Sequence, residues 1–235
     1  MKKGLLLIAT IFLTAATAWA AWRFHQDIAQ ASAHAHEGST IAQTQCGPIE
    51  YQEAGKGWPL LMVQGRGGGH DQGMAWARPL TQHGVRVIAM SRFGYLRTPR
   101  PAVASPEAQA DAHVCLLDAL GITTAAVMGV SAGAPSAMQA TIRHPERFSA
   151  LVLIVPITWK PGGMAHTAAP VSDNQDAWLM RLLGSDLLFW SALQLASEQV
   201  MQHVLAPPPV QVGAASAAER ARVNSLAWRI LPVSL

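Results

Sequence analysis

The sequence predicts an α/β fold built on a mostly parallel sheet. The first observation is a set of short apolar runs, rich in β-branched residues, with the composition of buried parallel strands. These runs are "PLLMVQ" (59–64), "VRVIAM" (85–90), "AAVMGV" (125–130) and "ALVLIV" (150–155). The second observation is the set of helical patterns that separate the runs, at about 73–83, 105–120 and 132–143. Such an alternation of strand and helix forms a sheet with right-handed crossovers.

Residues that begin or end helices mark the boundaries of these elements. Gly84 and Gly121 follow helical stretches, where glycine readily adopts the left-handed conformation of a C-terminal cap. Ser105 followed by Pro106 is a favourable pair for an N-cap and a first helical turn. With 235 residues, of which 50% are hydrophobic, the chain is long and apolar enough to form one large core.

The region 157–235 lacks strand-like runs, and we expect it to be helical. Amphipathic patterns predict helices near 174–183 and 185–205. The stretch 207–218, which begins with consecutive prolines, is typical of a flexible connector. The chain is therefore predicted to have a core domain over 46–156, followed by a separate helical region.

The segment 1–22 predicts export. A pair of lysines near the N-terminus precedes an uncharged and mostly apolar stretch at 4–22, an arrangement that keeps the lysines in the cytosol while the following chain enters the membrane. Two alternatives remain. The residues "AWA" at 18–20 fit the pattern before a signal cleavage site, whereas Trp19, Trp22 and the length of the stretch suit a retained membrane anchor. We expect a protein that is periplasmic, extracellular or anchored in the membrane.

The residues between this segment and the core carry weaker signals. Residues 23–45 are polar and rich in alanine, and we expect a linker or a short surface helix there. The two cysteines, Cys46 and Cys115, leave two possibilities. They bond to each other in an oxidising compartment, or Cys115 is a buried free thiol. The apolar helical pattern around Cys115 favours the free thiol.

The charge and ligand patterns exclude several classes of partner. The 17 basic and 14 acidic residues give a net charge of +3. Because the basic residues are scattered along the chain, we expect no nucleic-acid partner. The sequence has no Cys-x-x-Cys pair, and His34 and His36 would not share one face of a helix. We therefore expect neither a metal site nor a cofactor.

The main functional signal is "VMGVSAGAPSA" (127–137), which has a serine between two glycines at the junction of a strand and a helix. In the pattern Gly-x-Ser-x-Gly, Gly129 and Gly133 remove β-carbons that would clash at a sharp turn, so that the Ser131 hydroxyl projects above the sheet edge. The N-terminus of the following helix favours negative charge beside it. This context predicts that Ser131 is a catalytic nucleophile.

A glycine-rich loop, "QGRGGGHDQG" (64–73), follows the first predicted strand, where an oxyanion loop would lie. The backbone N–H groups of Arg66 and Gly67, together with that of Ala132, are predicted to bind a tetrahedral oxyanion. The rival interpretation is a dinucleotide-binding loop, which Arg92 after the next strand would favour. The glycine spacing is not G-x-G-x-x-G, however, and this interpretation leaves the Ser131 turn unexplained.

Together these features resemble the α/β-hydrolase superfamily, in its serine esterase and lipase branch, over 46–156. The matching segments are "VQGRGGGHDQG" for the oxyanion loop, "SRFGYLRTP" for the loop after the next strand, "LLDALGITTAAVMGVSAG" for the serine turn and "RHPERFSALVLIVP" for the helix end and strand that follow. Gln64 stands where the superfamily usually has a histidine. The region 157–235 resembles the helical cap that lines the substrate pocket in this superfamily.

The resemblance implies acyl transfer, in which Ser131 attacks the carbonyl of a small-molecule ester, a histidine acts as general base and a carboxylate orients that histidine. In this superfamily the acid and the histidine follow the serine, on loops after later strands. None of the downstream histidines follows a strand-like run; these are His144, His166 and His203. His144 ends the helix after Ser131, about 16–18 Å away by helix length.

The missing partners lead to an expectation about the chain itself. We expect a C-terminally truncated hydrolase that lacks its last strands, with the acid and the base that those strands would deliver. Two hypotheses follow. The chain is a serine hydrolase that acts on an ester through Ser131, or it is a catalytically silent, hydrolase-like module tethered at a membrane, because a serine without an adjacent base is a poor nucleophile.

Overall fold

The structure is a computed structural model that describes residues 2–157, 181, 184–205, 214–228 and 230–231. Its centre is a mixed sheet of six strands in the order β1-β2-β4-β3-β5-β6. The strands are β1 (Thr40–Thr44), β2 (Gly47–Ala54), β3 (Trp58–Val63), β4 (Val85–Met90), β5 (Ala125–Val130) and β6 (Phe148–Ile154). Strands β3 to β6 are parallel to one another, whereas β2 is antiparallel to both of its neighbours, β1 and β4. The predicted α/β fold with a mostly parallel sheet is confirmed.

Helices cover both faces of this sheet. They are α1 (Lys2–His36), α2 (His70–Ala77), α3 (Pro106–Ala119), α4 (Ala134–Arg143), α5 (Asp186–Leu205) and α6 (Ala217–Trp228). A 3-10 helix, Arg78–His83, continues α2. The helices predicted within the core and the one predicted at 185–205 are present, while α6 was not predicted. The predicted helix at 174–183 lies outside the described residues, apart from Arg181.

The parallel strands bury side chains on both faces, as their uninterrupted apolar runs predict. On one face, Leu61, Ile88 and Val127 belong to the cluster that includes α3 and α4. On the other face, Met62 and Val87 pack against α2. Neighbouring residues of a strand join different clusters because the side-chain period of a strand is two. The sheet is therefore held between two helical layers, and its strand ends provide a rigid edge for loops.

The helix ends in the core match the residues that predicted them. The Ser105 hydroxyl accepts a hydrogen bond from the Ala108 N–H at 3.2 Å, which caps α3 at its N-terminus. Gly84 and Gly121 have φ angles of 73° and 64°. These values lie in the left-handed region, which glycine adopts without the steric cost that a β-carbon would add.

Cys46 and Cys115 form a disulfide bond, with their Cα atoms 6.0 Å apart. The expectation that Cys115 is a free buried thiol is therefore wrong. Strand β1 lies against α3, so that Cys46, in the turn between β1 and β2, reaches the half-buried side of the helix where Cys115 lies. Local periodicity does not reveal this contact, because it joins residues 69 positions apart. Disulfides persist mainly in oxidising compartments.

Helix α1 is apolar and exposed in its N-terminal half. The segment Leu6–His36 is long and apolar enough to cross a membrane, with a mean hydropathy of 1.4 in its most apolar part, and signal sequences share this property. Leu6, Phe12 and Trp19 are each more than 60% exposed. Nothing in the folded domain therefore covers this half of the helix within the described residues.

The C-terminal half of α1 packs against α5. The ring of Phe24 meets that of Trp190 edge to face, with centroids 5.5 Å apart, and Ile28 joins the same apolar cluster. The Trp190 Nε1–H donates a hydrogen bond to Asp27 Oδ2 at 2.9 Å. Residues 23–45, where we expected a linker or a short surface helix, thus continue α1 to His36 and then form β1.

Candidate active site at the end of β5

Ser131 lies at a sharp turn between β5 and α4. Strand β5 ends at Val130, and the 3-10 turn Ser131–Gly133 leads directly into the first residue of α4. Ser131 has a φ angle of 48°, in the left-handed region that costs a residue with a β-carbon about 1–2 kcal/mol. Such strain persists only where the surrounding structure imposes it, and it is common at active sites.

The two glycines around Ser131 are required by close packing. A β-carbon on Gly133 would lie 2.5 Å from the carbonyl oxygens of Val63 and Gln64, at the end of β3. A β-carbon on Gly129 would lie 2.7 Å from the Ala137 β-carbon, in α4. Both distances are shorter than 3.0 Å, a separation below which real β-carbons essentially never approach another heavy atom. The turn therefore holds β3, β5 and α4 together at a separation that only glycine permits at these two positions.

The glycine-rich loop between β3 and α2 runs beside this turn. A β-carbon on Gly65 would lie 3.2 Å from the Ser131 β-carbon, so the loop backbone and the serine are neighbours. Gly67 and Gly68 have φ angles of 78° and 66°, which let the chain turn sharply past the serine. Arg66 is exposed. The loop thus has the position that an oxyanion loop requires, while the binding roles of Arg66, Gly67 and Ala132 remain predictions.

Hydrogen bonds from neighbouring segments fix this loop. The Arg92 Nη2–H donates to the Gly65 carbonyl at 2.7 Å, and the Asp71 carboxylate accepts from the Gly69 N–H at 2.8 Å. The buried amide of Gln64 donates to the Met90 carbonyl at 2.6 Å and accepts from the Arg92 N–H at 3.1 Å. Gln64, which stands where the superfamily usually has a histidine, therefore links the end of β3 to β4.

A buried polar cluster under the loop was not predicted. The Glu50 carboxylate, which has no solvent exposure, accepts hydrogen bonds from Arg97 Nε at 2.7 Å, from the Ser39 hydroxyl at 2.8 Å and from the Ser91 hydroxyl at 3.0 Å. Burial alone would raise the pKa of Glu50, but the hydrogen bonds from Arg97 and Ser39 outweigh it, and the pKa is lowered. The carboxylate is thus held ionised.

His70 connects this cluster to α1 and to the glycine-rich loop. Its Nε2 lies 2.9 Å from the Ala35 carbonyl oxygen, to which it donates a hydrogen bond, and 3.6 Å from Glu50. Its backbone N–H donates to the Ser91 hydroxyl at 3.1 Å. Burial lowers the pKa of His70, although the Glu50 charge opposes this effect. The residues of the cluster around Glu50 come from separate segments of the chain, so no local sequence pattern could identify this cluster.

The downstream histidines do not supply a base for Ser131 within the described residues. His144 Nε2 lies 2.8 Å from Asp111 Oδ1, at the end of α4 that is farther from Ser131. Arg143 pairs with the same carboxylate at 2.9 Å, and hydrogen bonds from Arg143 and His144 lower the pKa of Asp111 against the effect of burial. The other candidates, His166 and the side chain of His203, lie outside the described residues.

A buried histidine lies behind the turn. The Nε2 atom of His113 is 3.1 Å from the Ser136 hydroxyl, which in turn donates to the Gly133 carbonyl at 3.2 Å. Burial, together with the charge of Arg92, lowers the pKa of His113 to about 3. His113 is therefore neutral at physiological pH and supports the start of α4 through Ser136.

Comparison with known proteins identifies the fold family. A family model described as the alpha/beta hydrolase fold matches residues 59–207, more than half of the chain. The chain belongs to the alpha/beta hydrolase fold family. This confirms the superfamily that the sequence motifs resemble, and it leaves the dinucleotide-binding alternative without support.

Named hydrolases are similar to about half of the chain. The chain is 36% identical over 129 residues to 2-hydroxymuconate semialdehyde hydrolase from Pseudomonas sp. (strain CF600), which covers 53% of the chain and 43% of that protein. It is 31% identical over 113 residues to 2-hydroxy-6-oxo-6-phenylhexa-2,4-dienoate hydrolase from Comamonas testosteroni, covering 46% of the chain and 40% of the relative. The chain thus spans less than half of the length of these curated relatives.

A solved structure agrees with the architecture over a larger share of the chain. The alpha/beta hydrolase fold protein from Nakamurella multipartita superimposes with a TM-score of 0.62 and 28% sequence identity, covering 81% of this chain and 68% of that one. The structural similarity therefore covers more of the chain than the sequence similarity to the relatives named above.

Proposed function

We propose that the protein is a serine hydrolase that cleaves a carboxylic ester, or a similar acyl compound, through Ser131. The observation that carries the proposal is the strained left-handed φ of 48° at Ser131, at a strand-to-helix turn next to a glycine-rich loop. Backbone strain at Ser131 is explained if the turn serves to present its hydroxyl. Membership of a hydrolase fold family supports the same function.

The proposed reaction has two steps. The Ser131 Oγ attacks the substrate carbonyl while a base removes its proton, and the alcohol leaves as the acyl group is transferred to the serine; water then releases the acid and restores the serine. The N–H groups of Ala132, Arg66 and Gly67 would stabilise the oxyanion. The proposal requires a histidine in contact with Ser131; His166 and His203 are the downstream histidines whose side chains lie outside the described residues.

A fluorophosphonate probe tests the nucleophile directly. We expect the full-length protein to be labelled and the Ser131→Ala variant to remain unlabelled. Ser149→Ala is the matched control, because Ser149 is an exposed serine on β6, and it should be labelled like the wild type. Equal labelling of wild type and Ser131→Ala would overturn the assignment. Absence of labelling and of ester turnover in the folded wild type would favour the catalytically silent module.

The names of the relatives suggest further compounds to assay. Two of them carry names that specify hydrolysis of 2-hydroxymuconate semialdehyde and of 2-hydroxy-6-oxo-6-phenylhexa-2,4-dienoate. These compounds are the second candidate substrates, beside simple esters. Turnover of either one that disappears in Ser131→Ala would assign the activity to this serine.

We also propose that the protein is exported and that α1 attaches it to a membrane. Support comes from the lysine pair before the apolar half of α1 and from the disulfide between Cys46 and Cys115. Extraction of a membrane fraction with carbonate and with detergent tests attachment. N-terminal sequencing of the mature protein then decides between retention and cleavage after Ala20, and recovery only in the cytosolic fraction would contradict export.

A further inference from the structure

A cavity of about 400 Å³ lies beside the Ser131 turn. Three segments enclose it: the loop after β4, the N-terminus of α3 and the N-terminus of α4. Ala132 forms part of its wall, and Ala132 directly follows Ser131. The cavity therefore begins one residue away from the proposed nucleophile, next to the N–H group that we expect to bind the oxyanion.

Gln109, a residue of the cavity wall, has a buried donor with no acceptor. Gln109 lines the cavity and is only 5% exposed. Its Oε1 accepts a hydrogen bond from the Phe93 N–H at 2.8 Å, which fixes the orientation of the amide. The Nε2 group is buried and has no hydrogen-bond partner. An unmade hydrogen bond of this kind costs about 1–3 kcal/mol.

Arg92, which also lines the cavity, has a second donor without a partner. Its Nη2–H donates to the Gly65 carbonyl, and its guanidinium group lies 4.7 Å from the centroid of the Tyr95 ring. Its Nε, however, is buried without a partner. Burial lowers the pKa of Arg92, although Tyr95 opposes this effect. Within the described part of the chain Arg92 forms no ion pair, so its charge is left without a compensating anion.

The surroundings of both donors favour negative charge. Arg100 also lines the cavity and is exposed, which puts a second cation at the cavity wall. The first turns of α3 and α4 contribute lining residues as well, through Pro106 and Pro135, and the N-terminal end of a helix attracts anions. Among the described lining residues there is no carboxylate to compete for these charges.

We propose that this cavity is a subsite for a carboxylate group carried by the substrate, with Arg92 Nε and Gln109 Nε2 as hydrogen-bond donors and Arg100 as a further cation. The link to catalysis rests on the proposed function of Ser131. The acyl substrate would then be a half-ester of a dicarboxylic acid, or a similar molecule with one carboxylate and one scissile acyl bond. Neutral esters of the same size would leave the buried cation unpaired.

Binding to the full-length Ser131→Ala protein tests the subsite without any turnover. The probes are monomethyl glutarate, its uncharged amide analogue methyl 4-carbamoylbutanoate, and inorganic phosphate, each titrated by calorimetry in detergent. We expect monomethyl glutarate to bind at least about tenfold more tightly than the amide, since hydrogen bonds to charged groups are the stronger ones. Equal binding of acid and amide, or binding of phosphate alone, would overturn the proposal.

Gln109→Glu is the decisive variant. The new carboxylate keeps an acceptor for the Phe93 N–H and replaces only the unpartnered donor with a negative oxygen, so we expect binding of monomethyl glutarate to fall by about tenfold or more. Gln82→Glu, the same change at an exposed position, is the matched control and should bind like the parent. If Gln109→Glu does not fold, the exposed Arg100→Gln variant gives the same test with a smaller expected loss. Unchanged binding in a folded variant at either position would refute the subsite.

Kinetics separate this subsite from the proposed function. In the wild type kcat/KM for monomethyl glutarate should exceed that for the amide analogue, and Gln109→Glu should remove that preference. Probe labelling of Ser131 without a preference for the acid would refute the subsite and leave the hydrolase intact. Selective acid binding in a protein whose Ser131 is not labelled would refute the hydrolase and leave the subsite intact.

Discussion

Gly133 lies so close to Gln64 that a β-carbon on the glycine would come within 2.5 Å of the Gln64 carbonyl oxygen. Gly133 ends the serine turn, and Gln64 begins the glycine-rich loop. The contact therefore joins the two halves of the candidate site, backbone to backbone. Its steric limit is set by main-chain atoms, which cannot move aside as a flexible side chain would.

Gly133→Ala should destabilise the protein by about 2–3 kcal/mol, because the added methyl group forces β3 and the turn apart. It should also reduce fluorophosphonate labelling of Ser131 by about tenfold or more. Urea denaturation and the labelling rate measure the two effects. Gly121→Ala is the control, since its β-carbon meets open space and it adds only backbone strain at a φ of 64°. Full labelling of Gly133→Ala would contradict this account.

Loss of the disulfide should destabilise the domain. The double variant Cys46→Ser with Cys115→Ser removes the bond that joins the β1–β2 turn to α3, and we expect the free energy of unfolding to fall by about 2–5 kcal/mol. Chemical denaturation of the purified protein measures this, with reduced wild type as the comparison. Denatured but unreduced wild type should show no reactive thiol, and a stoichiometric thiol signal would mean that the bond is not formed.

The buried His113 should make stability depend on pH below neutrality. Its pKa is about 3 in the folded protein and about 6.5 when unfolded. Between these values the unfolded chain binds a proton that the folded chain does not, so the stability present above pH 6.5 is lost as the pH falls, by about 1 kcal/mol for each pH unit. Urea midpoints at pH 7 and pH 5 test this expectation.

Replacement of His113 isolates its contribution to that pH dependence. His113→Gln keeps a side-chain donor for Ser136 and does not titrate, so the loss of stability between pH 7 and pH 5 should become smaller. His83→Gln, at an exposed histidine, should retain the wild-type dependence. An unchanged pH dependence in His113→Gln would show that another group is responsible.

The hydrogen bond between Trp190 and Asp27 should couple α1 to α5. Asp27→Ala and Trp190→Phe each remove this bond, and the double variant should lose less stability than the sum of the single ones, with a coupling of about 1–3 kcal/mol. Unfolding in urea gives all three values. Gln26→Ala, at an exposed position of α1, is the control and should show no coupling with Trp190→Phe. Strict additivity of Asp27→Ala and Trp190→Phe would exclude the contact.

Features governed by local steric rules were predictable from the sequence. The strands β3 to β6 follow from their apolar runs, and the sharp turn at Ser131 follows from the glycines two positions before and after it. Close packing of a strand-to-helix turn allows few residue types, so the pattern Gly-x-Ser-x-Gly is sufficient to predict the turn. The same reasoning located the caps of α3 at Ser105 and Gly121.

Features that join distant segments were not predictable. The Cys46–Cys115 bond, the cluster around Glu50 and the cavity lined by Gln109 each combine residues from separate elements, and single-sequence periodicity describes only one element at a time. Strands β1 and β2 were both missed, because "TIAQT" (40–44) and "GPIEYQEA" (47–54) contain few apolar residues. In each case the tertiary contact supplies the energy that local propensity lacks.

Cleavage of α1 after Ala20 would leave the folded domain unchanged, because the two halves of this helix have different surroundings. The described contacts of this helix with α5 and with His70 lie between Phe24 and Ala35, downstream of the potential cleavage position after Ala20. Removal of the preceding residues would therefore leave the docked half held by Trp190 and His70. A cleaved product and an anchored one would have the same globular part, and would differ only in whether the protein remains attached to the membrane.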